Sequence, residues 1–417
     1  MPKLLTNRSS IFVIAGAALM LTMAMGIRQS LGIFVQPITR DLALTVSEFT
    51  LAIAIQNVVW GVLQPFTGAL VVSLGFRPVM LAGGFLYVAA LALLAHANGL
   101  ISVVVAAGVM IGAALACNAS AIANAVAARS VPDHLRSTVL GLVTAMGSIG
   151  AMIAAPIGQY LSEGFGWRTA AIGFCVLAAA IVPGAWLAGR ADSFPLRSNT
   201  GNAEDKTVRS ALSKAAKNPS FVVMTCAYCV CGMQLVFITT HLPSYLALCG
   251  MDPMLSAKAL GCIGGFNILG SLFFGWAGGR WNKLALLGSI YFVRSLTIGW
   301  YFILPPTPER TLVFASLAGF LWLGVGPLVS GAVIEMFGLR WQAMIQGVAF
   351  SSHQLGSFLG AFGGGILFDV SGSYSLAWRL GVGMGLAGGL IQISFALLRP
   401  TAAQSAKPPI REPAGVG

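Results

Sequence analysis

Three glycines recur at the same spacing in two stretches of the chain, GLVTAMGSIGAMIAAPIG at residues 141–158 and GVAFSSHQLGSFLGAFGG at residues 347–364. The offset is 206 residues for each of the pairs Gly141 and Gly347, Gly150 and Gly356, Gly158 and Gly364, Pro37 and Pro243, and Gly26 and Gly232, and 207 for Gly68 and Gly275. A single glycine here is also explained by close helix packing, since small residues let membrane helices approach. The shared offset therefore indicates an internal duplication.

The composition indicates whether the surface of this duplicated chain faces water or lipid. Of 417 residues, 57% are hydrophobic and 9% are charged, and the mean hydropathy is +0.85. Charged residues usually make up about a quarter of a soluble protein. Soluble enzymes are thus excluded, and the apolar surface must face lipid. The seven cysteines lie mostly in apolar runs and form no disulfide pattern; the spacing of Cys226, Cys229 and Cys231 does not suit a metal site either.

Apolar runs of about 20 residues are long enough to cross a bilayer as helices. The sequence contains twelve, at about 10–35, 48–73, 78–96, 100–128, 137–161, 168–189, 219–245, 255–279, 283–304, 310–335, 341–368 and 376–398. We read the first run as an uncleaved helix because it continues to Phe34, past the length of a signal peptide. The predicted fold is an all-α integral membrane protein of twelve transmembrane helices in two six-helix repeats.

The positions of the basic residues predict the orientation. With the N-terminus in the cytoplasm, 17 of the 24 Lys and Arg lie on the cytoplasmic side and five outside. This asymmetry predicts that both termini are cytoplasmic, and it explains the net charge of +12 without nucleic acid. We expect an N-terminal six-helix bundle at 1–189, a polar cytoplasmic linker at 190–217, a C-terminal bundle at 218–399 and a disordered tail at 400–417. Two such repeats describe a transporter that binds substrate between its halves.

Several local motifs resemble the major facilitator superfamily across residues 10–398. The loop after the second span keeps Gly68, Gly75 and Arg77 of the superfamily motif, but Val72 and Ser73 replace its Asp-Arg pair. The second copy keeps Gly275, Arg280 and Lys283, and Gly279 stands at the acidic place. Pro132–Arg136 and Gly166–Arg168 also resemble this superfamily. The resemblance implies that Gly68, Gly75, Arg77 and Arg280 belong to gating loops, although the acidic latch residue is missing from both.

Within the superfamily, the chain is most similar to the monocarboxylate and oxalate/formate exchanger branch. The resemblance rests on Gly26–Ser30, which reads GIRQS, and on Ser352–Gly356, which reads SHQLG. It implies monocarboxylate transport, or transport of another small organic anion, by proton symport or by antiport. Asn267 and Ser271 stand where mammalian members carry an Asp and an Arg in the eighth span, so that coupling mechanism does not carry over intact.

Two arginines lie inside spans, where an ionisable side chain costs at least about 2.5 kcal/mol and marks a functional site by default. Arg28, in the first span, is the predicted carboxylate anchor. The equivalent residue in the second repeat is Gln234, which we expect to face Arg28 across the central axis. Arg294, in the usually peripheral ninth span, is a second candidate, which would reach the cavity by facing the eighth helix. Snorkelling or structural bonding is the competing explanation for either arginine.

Uncharged polar groups at membrane depth complete the predicted site, although hydrogen bonding between helices explains any one of them equally well. The further substrate-binding candidates are Gln29, Asn57, Asn118, Asn267, Trp322 and Gln354. No Asp or Glu lies mid-span in the sequence. Histidine titrates near pH 6.5, so His241 and His353 are the candidates for proton coupling.

We therefore predict a secondary transporter of a small organic anion in the bacterial inner membrane. It would work as a monomer by alternating access, without cofactor or metal, its partners being the substrate, lipid and in symport protons. An exporter of drugs or other amphipathic compounds is the main alternative. An integral membrane enzyme ranks last, because HExxH, GxSxG and paired intramembrane carboxylates are missing from the sequence, and a sensor on the same fold is the remaining alternative.

Overall fold

A computed structural model describes residues 8–194 and 207–398, which form twelve long helical spans. Their bounds are α1 Arg8–Asp41, α2 Val46–Leu74, α3 Phe76–Ala95, α4 Leu100–Arg129, α5 Asp133–Phe165, α6 Trp167–Ser193, α7 Pro219–Leu248, α8 Pro253–Ala277, α9 Lys283–Ile303, α10 Pro308–Phe337, α11 342–371 and α12 Ser375–Leu398. A shorter helix, Val208–Lys217, precedes α7. The all-α prediction is confirmed. The tail at 400–417 and residues 195–206 of the polar linker lie outside the described residues, and the predicted domain boundaries stay predictions.

Eleven of these spans are apolar enough to cross a membrane by hydropathy and length. The twelfth, α11, is helical over the same length but carries a row of Gln, Ser and His side chains: Gln342, Gln346, Ser351, Ser352, His353, Gln354 and Ser357. Of these seven side chains, all except Ser352 and His353 are buried or form a hydrogen bond to the opposite half or to α10. The polarity of α11 therefore reflects contacts inside the bundle.

The pseudo-symmetry of the halves is visible in one hydrogen bond. Asn124 in α4 donates to the hydroxyl of Ser330 in α10 at 3.1 Å, and these residues are 206 positions apart. Each is thus bonded to its own equivalent in the other repeat. The axis that relates the halves passes through this pair, which agrees with the offset of the glycines.

The halves touch along two glycine-lined crossings, α2 with α11 and α5 with α8. A Cβ added at Gly141 would lie 2.7 Å from the Cα of Gly275, and one at Gly347 would lie 2.7 Å from the backbone nitrogen of Pro65. Such distances are shorter than a side chain tolerates, so only glycine permits these approaches. Glycines that the two repeats share are therefore the residues at which the halves approach each other.

Both crossings lie toward the terminal end of the bundle, where α1 begins and α12 ends. The α2–α11 contact starts near Gly68 and Met344 and reaches Asn57 and Gln354. Beyond this level, the glycine contacts of the described α5 and α11 residues go to helices of their own half, such as Gly360 to α7. The two halves thus meet at the terminal end and separate toward the opposite end.

Polar side chains satisfy the backbone where spans depart from regular helix. Gln56 donates to the carbonyl of Ala107 at 2.6 Å, inside a π-helical stretch of α4. Asn267 accepts from the backbone N–H of Leu323 at 2.8 Å, where α10 is interrupted between Phe320 and Val325. In lipid such freed backbone groups need a protein partner. These residues therefore stabilise the breaks that shape the interior.

Candidate functional site

Arg28 lies half-buried at the level where the halves separate. Its Nη2 donates to Asn57 Oδ1 at 2.6 Å, and its guanidinium carbon lies 5.0 Å from the centroid of the Trp60 ring. Its Nε is buried and has no hydrogen-bond partner among the described residues. The side chain therefore faces α2 and the interior, which excludes snorkelling to the outer surface, and it retains an unused donor.

Asn57 connects Arg28 to the second half. Gln354 of α11 donates from Nε2 to the backbone oxygen of Asn57 at 3.1 Å and to its Oδ1 at 3.3 Å. Ser351, one turn earlier, donates to the carbonyl of Gly61 at 2.6 Å. Arg28, Asn57 and Gln354, three of the predicted site residues, are thus one hydrogen-bonded chain from α1 through α2 to α11; their binding of substrate stays a prediction.

His353 and a group of aromatic rings form the second wall of this site. The His353 ring is 4.6 Å from that of Tyr228 and 5.7 Å from that of Phe350, and Phe350 lies 4.6 Å from Trp60. His353 is half-buried and lies within electrostatic range of both Arg28 and Arg294. It therefore stands between the two arginines that the sequence singled out.

Arg294 is fully buried in the C-terminal half. Its Nε donates to Gln234 Oε1 at 3.0 Å and its Nη1 to the Cys231 sulfur at 3.4 Å, so it faces α7 rather than the expected α8. The amide of Gln234 also donates to Ser295 at 2.8 Å and to the carbonyl of Gly381 at 2.8 Å. Gln234 is thus occupied by α9 and α12 and does not face Arg28 across the axis, which corrects that expectation.

Other predicted residues lie away from this centre. The amide of Asn118 is buried against Gly83 of α3 and donates to the carbonyl of Ala114 at 3.2 Å. Asn267 and Trp322 belong to the interruption of α10, and Gln29 lies on an exposed face of α1. The hydrogen bonds of Asn118 and Asn267 stay within one half, as the packing explanation expects, and the roles of Gln29 and Trp322 stay predictions.

The two histidines occupy different environments. His241 is buried near the opposite end of α7, with Nδ1 3.3 Å from the Tyr374 hydroxyl and Nε2 2.9 Å from the carbonyl of Ala361. Its contacts are with α11 and the loop before α12. Of the two, His353 is the one that contacts Gln354 and lies within electrostatic range of Arg28.

The predicted loop residues lie at the terminal end. Gly75 has φ +89°, and a Cβ added to it would lie 3.0 Å from the Asp192 carboxylate. Asp192 accepts from the backbone N–H of Phe76 at 2.8 Å and of Arg77 at 3.1 Å. The end of α6 therefore supplies an acidic group to the start of α3, although Val72 replaces the acid of the loop itself. In the second copy, Arg280 lies 4.3 Å from the Trp276 ring.

Sequence reasoning missed the aromatic residues of the site: Trp60, Tyr228, Tyr291 and Phe350. The spacing Asn57–Trp60 and Phe350–His353, three residues apart, puts each ring on the same helix face as a polar candidate. That spacing was the available signal. The ion pairs described among the resolved helices, Asp133–Arg136, Asp41–Arg168 and Glu335–Lys283, all lie near helix ends, so the centre carries cations without a described carboxylate.

Fold and site together define a polytopic membrane protein whose two six-helix halves enclose a cationic, aromatic-lined centre. The family model of the Major Facilitator Superfamily matches residues 14–361, and the chain belongs to that superfamily. It is a transporter and not an enzyme, as predicted.

Relatives and solved structures agree with this assignment. The chain is 24% identical to the sialic acid transporter NanX of Escherichia coli over 378 residues, which cover 86% of this chain and 90% of NanX. It is 25% identical to monocarboxylate transporter 13 of Rattus norvegicus over 80% of this chain and 76% of that protein. Mouse monocarboxylate transporter 3 is 30% identical over 158 residues, 38% of this chain and 32% of that protein.

Among solved structures, FucP of E. coli, described in the outward conformation, superposes with a TM-score of 0.72 at 16% identity over 92% of this chain and 99% of that one. The proton:xylose symporter XylE superposes with a TM-score of 0.69 at 12% identity, over 94% of this chain and 96% of that one. These similarities establish the fold.

Proposed function

We propose that this transporter moves a small organic anion of the monocarboxylate class, which binds at Arg28 between the two halves. The observation that carries the proposal is the environment of this guanidinium: half-buried mid-span, held by a neutral Asn57 and left with a buried, unpartnered Nε. A bidentate carboxylate is the ligand that matches a guanidinium in geometry and charge. The similarity to monocarboxylate transporters supports the same class.

The position of Arg28 supports alternating access. The guanidinium is linked through Asn57 to Gln354 of the opposite half, at the level where the glycine crossings end. An anion bound there would contact both halves and would neutralise the cation before the site closes around it. Burying a compensated charge costs less free energy than burying a bare one. Substrate binding would therefore favour the rocking of the halves.

We further propose that the terminal end faces the cytoplasm of a bacterial cell, so that the described conformation is open to the outside. The excess of Lys and Arg on that side supports this orientation. If uptake is coupled to protons, His353 is the residue that suits the task, because it contacts Gln354 and lies within electrostatic range of Arg28, while His241 bonds to Tyr374 and Ala361. Counterflow of unlabelled anion would identify exchange instead.

The test is uptake of labelled monocarboxylates, dicarboxylates and neutral or cationic compounds into proteoliposomes, with and without a pH gradient. A charge-assisted hydrogen bond contributes about 1.5–3 kcal/mol. We therefore expect Arg28→Gln to lower apparent affinity for the anion by about 10- to 150-fold. Arg40→Gln is the matched control, since Arg40 is an exposed arginine near the end of the same helix. Unchanged anion uptake by Arg28→Gln, or uptake only of neutral or cationic compounds, would overturn the proposal, and the second result would favour the exporter.

A further inference from the structure

Arg294 is a cation that the proposed anchor at Arg28 leaves unexplained. Its side chain is completely buried, and two of its three nitrogens bond to neutral acceptors, Gln234 and Cys231. None of the ion pairs among the described residues includes it. A buried guanidinium without a counter-charge is unstable relative to one that is paired, because removing its hydration costs more than neutral hydrogen bonds return.

Two buried donors, one on Arg294 itself and one on the neighbouring Tyr291, are unused within the described part of the chain. Nη2 of Arg294 and the hydroxyl of Tyr291 are both buried and have no hydrogen-bond partner among the described residues. Tyr291 is 2% exposed, and the guanidinium carbon lies 5.5 Å from the centroid of its ring. Buried donors are nearly always satisfied in folded proteins. A positive charge with two free donors is the chemistry of an anion site.

This position is separate from Arg28. Arg28 bonds to α2, whereas Arg294 bonds to α7. Gly385 of α12 closes the far side, since a Cβ added there would collide with Gln234 and Ser295. The position is thus confined to the interior of the C-terminal half.

We propose that Arg294 and Tyr291 form a second, inner anion-binding position, which holds one small singly charged group: a carboxylate or a halide. The single net charge of Arg294 sets the charge of the ligand, and complete burial limits its size. The source is a free chloride or formate ion, because the position is separate from the anchor at Arg28.

The test measures thermal unfolding of the purified protein in detergent while bulky gluconate is replaced by chloride or formate at constant ionic strength. A ligand that binds only the folded state raises the apparent Tm with its concentration. We expect this rise in the wild type, in Arg28→Gln and in Arg379→Gln, which removes an exposed arginine as a matched control. We expect the chloride-dependent rise to vanish in Arg294→Gln, whereas a formate-dependent rise through Arg28 should persist. An equal chloride-dependent rise in Arg294→Gln would overturn the proposal.

Tyr291→Phe removes only the hydroxyl and guards against misfolding of Arg294→Gln. We expect it to raise the apparent Kd for chloride at least tenfold, and an unchanged Kd would overturn the proposal. Because the measurement needs no transport, an anion-dependent Tm without anion uptake would refute the proposed function alone.

Discussion

Asn57→Asp places a carboxylate on the guanidinium of Arg28 with almost no change in shape. The donor and acceptor atoms are already 2.6 Å apart, so the substitution creates an internal ion pair where a neutral amide now accepts the bond. At an effective dielectric constant of about 20, opposite unit charges about 4 Å apart attract each other by about 4 kcal/mol. Desolvation of the new carboxylate offsets part of this attraction. A transported anion would have to compete with the remainder.

We therefore expect Asn57→Asp to weaken anion binding by about 2–4 kcal/mol, or about 30- to 900-fold in apparent affinity. The Tm should stay the same or rise, because the pair stabilises the empty site. Uptake of a labelled monocarboxylate into proteoliposomes gives the affinity, and thermal unfolding in detergent gives the Tm. Asn98→Asp, which adds the same charge to an exposed loop, is the control. Wild-type affinity in Asn57→Asp would refute the role of Arg28 as the anion anchor.

Three further predictions concern coupling, closure and orientation. His353→Gln should abolish the stimulation of uptake by an inward proton gradient while anion counterflow persists, because the side chain adjoins the anchor. Gly141→Leu should lower transport at least tenfold, since the α5–α8 crossing has no room for a side chain, whereas Gly164→Leu, with no atom within 4 Å of its added Cβ, should retain it. In intact cells a membrane-impermeant maleimide should label Ser373→Cys and leave Ser213→Cys unlabelled.

Each of these expectations has an opposite outcome. If an inward proton gradient still stimulates uptake by His353→Gln, proton coupling does not depend on this histidine. Full transport by Gly141→Leu would show that the α5–α8 contact is not needed for the cycle. Labelling of Ser213→Cys but not Ser373→Cys would reverse the orientation and make the described conformation open to the cytoplasm.

The sequence predicts the helices and their duplication well, because both follow from one-dimensional signals. Apolar run length determines the spans, and the 206-residue offset reappears as the contact between Asn124 and Ser330. The sequence identifies α11 by its run at 341–368, although the side chains that join the halves there are polar. An ionisable residue in a span is costly wherever it lies, and for that reason Arg28 could be found without coordinates.

Side-chain direction could not be predicted in the same way. A π-helical stretch at Leu359–Gly363 and a 3₁₀ turn at Leu31–Phe34 change the helical phase along α11 and α1. Gln234 stands at the 206-residue offset from Arg28 but bonds to Arg294 of its own half, a contact that the repeat pattern does not reveal. The role of Asn267 depends equally on the break in α10, which hydropathy does not reveal.

The central claim is that Arg28 binds the carboxylate of the transported anion. Equilibrium binding of a labelled monocarboxylate to the purified protein tests it without the complications of a transport cycle. We predict saturable binding by the wild type and by Arg40→Gln, and a Kd about 10- to 150-fold higher for Arg28→Gln. Equal affinity in the wild type and Arg28→Gln would contradict the claim.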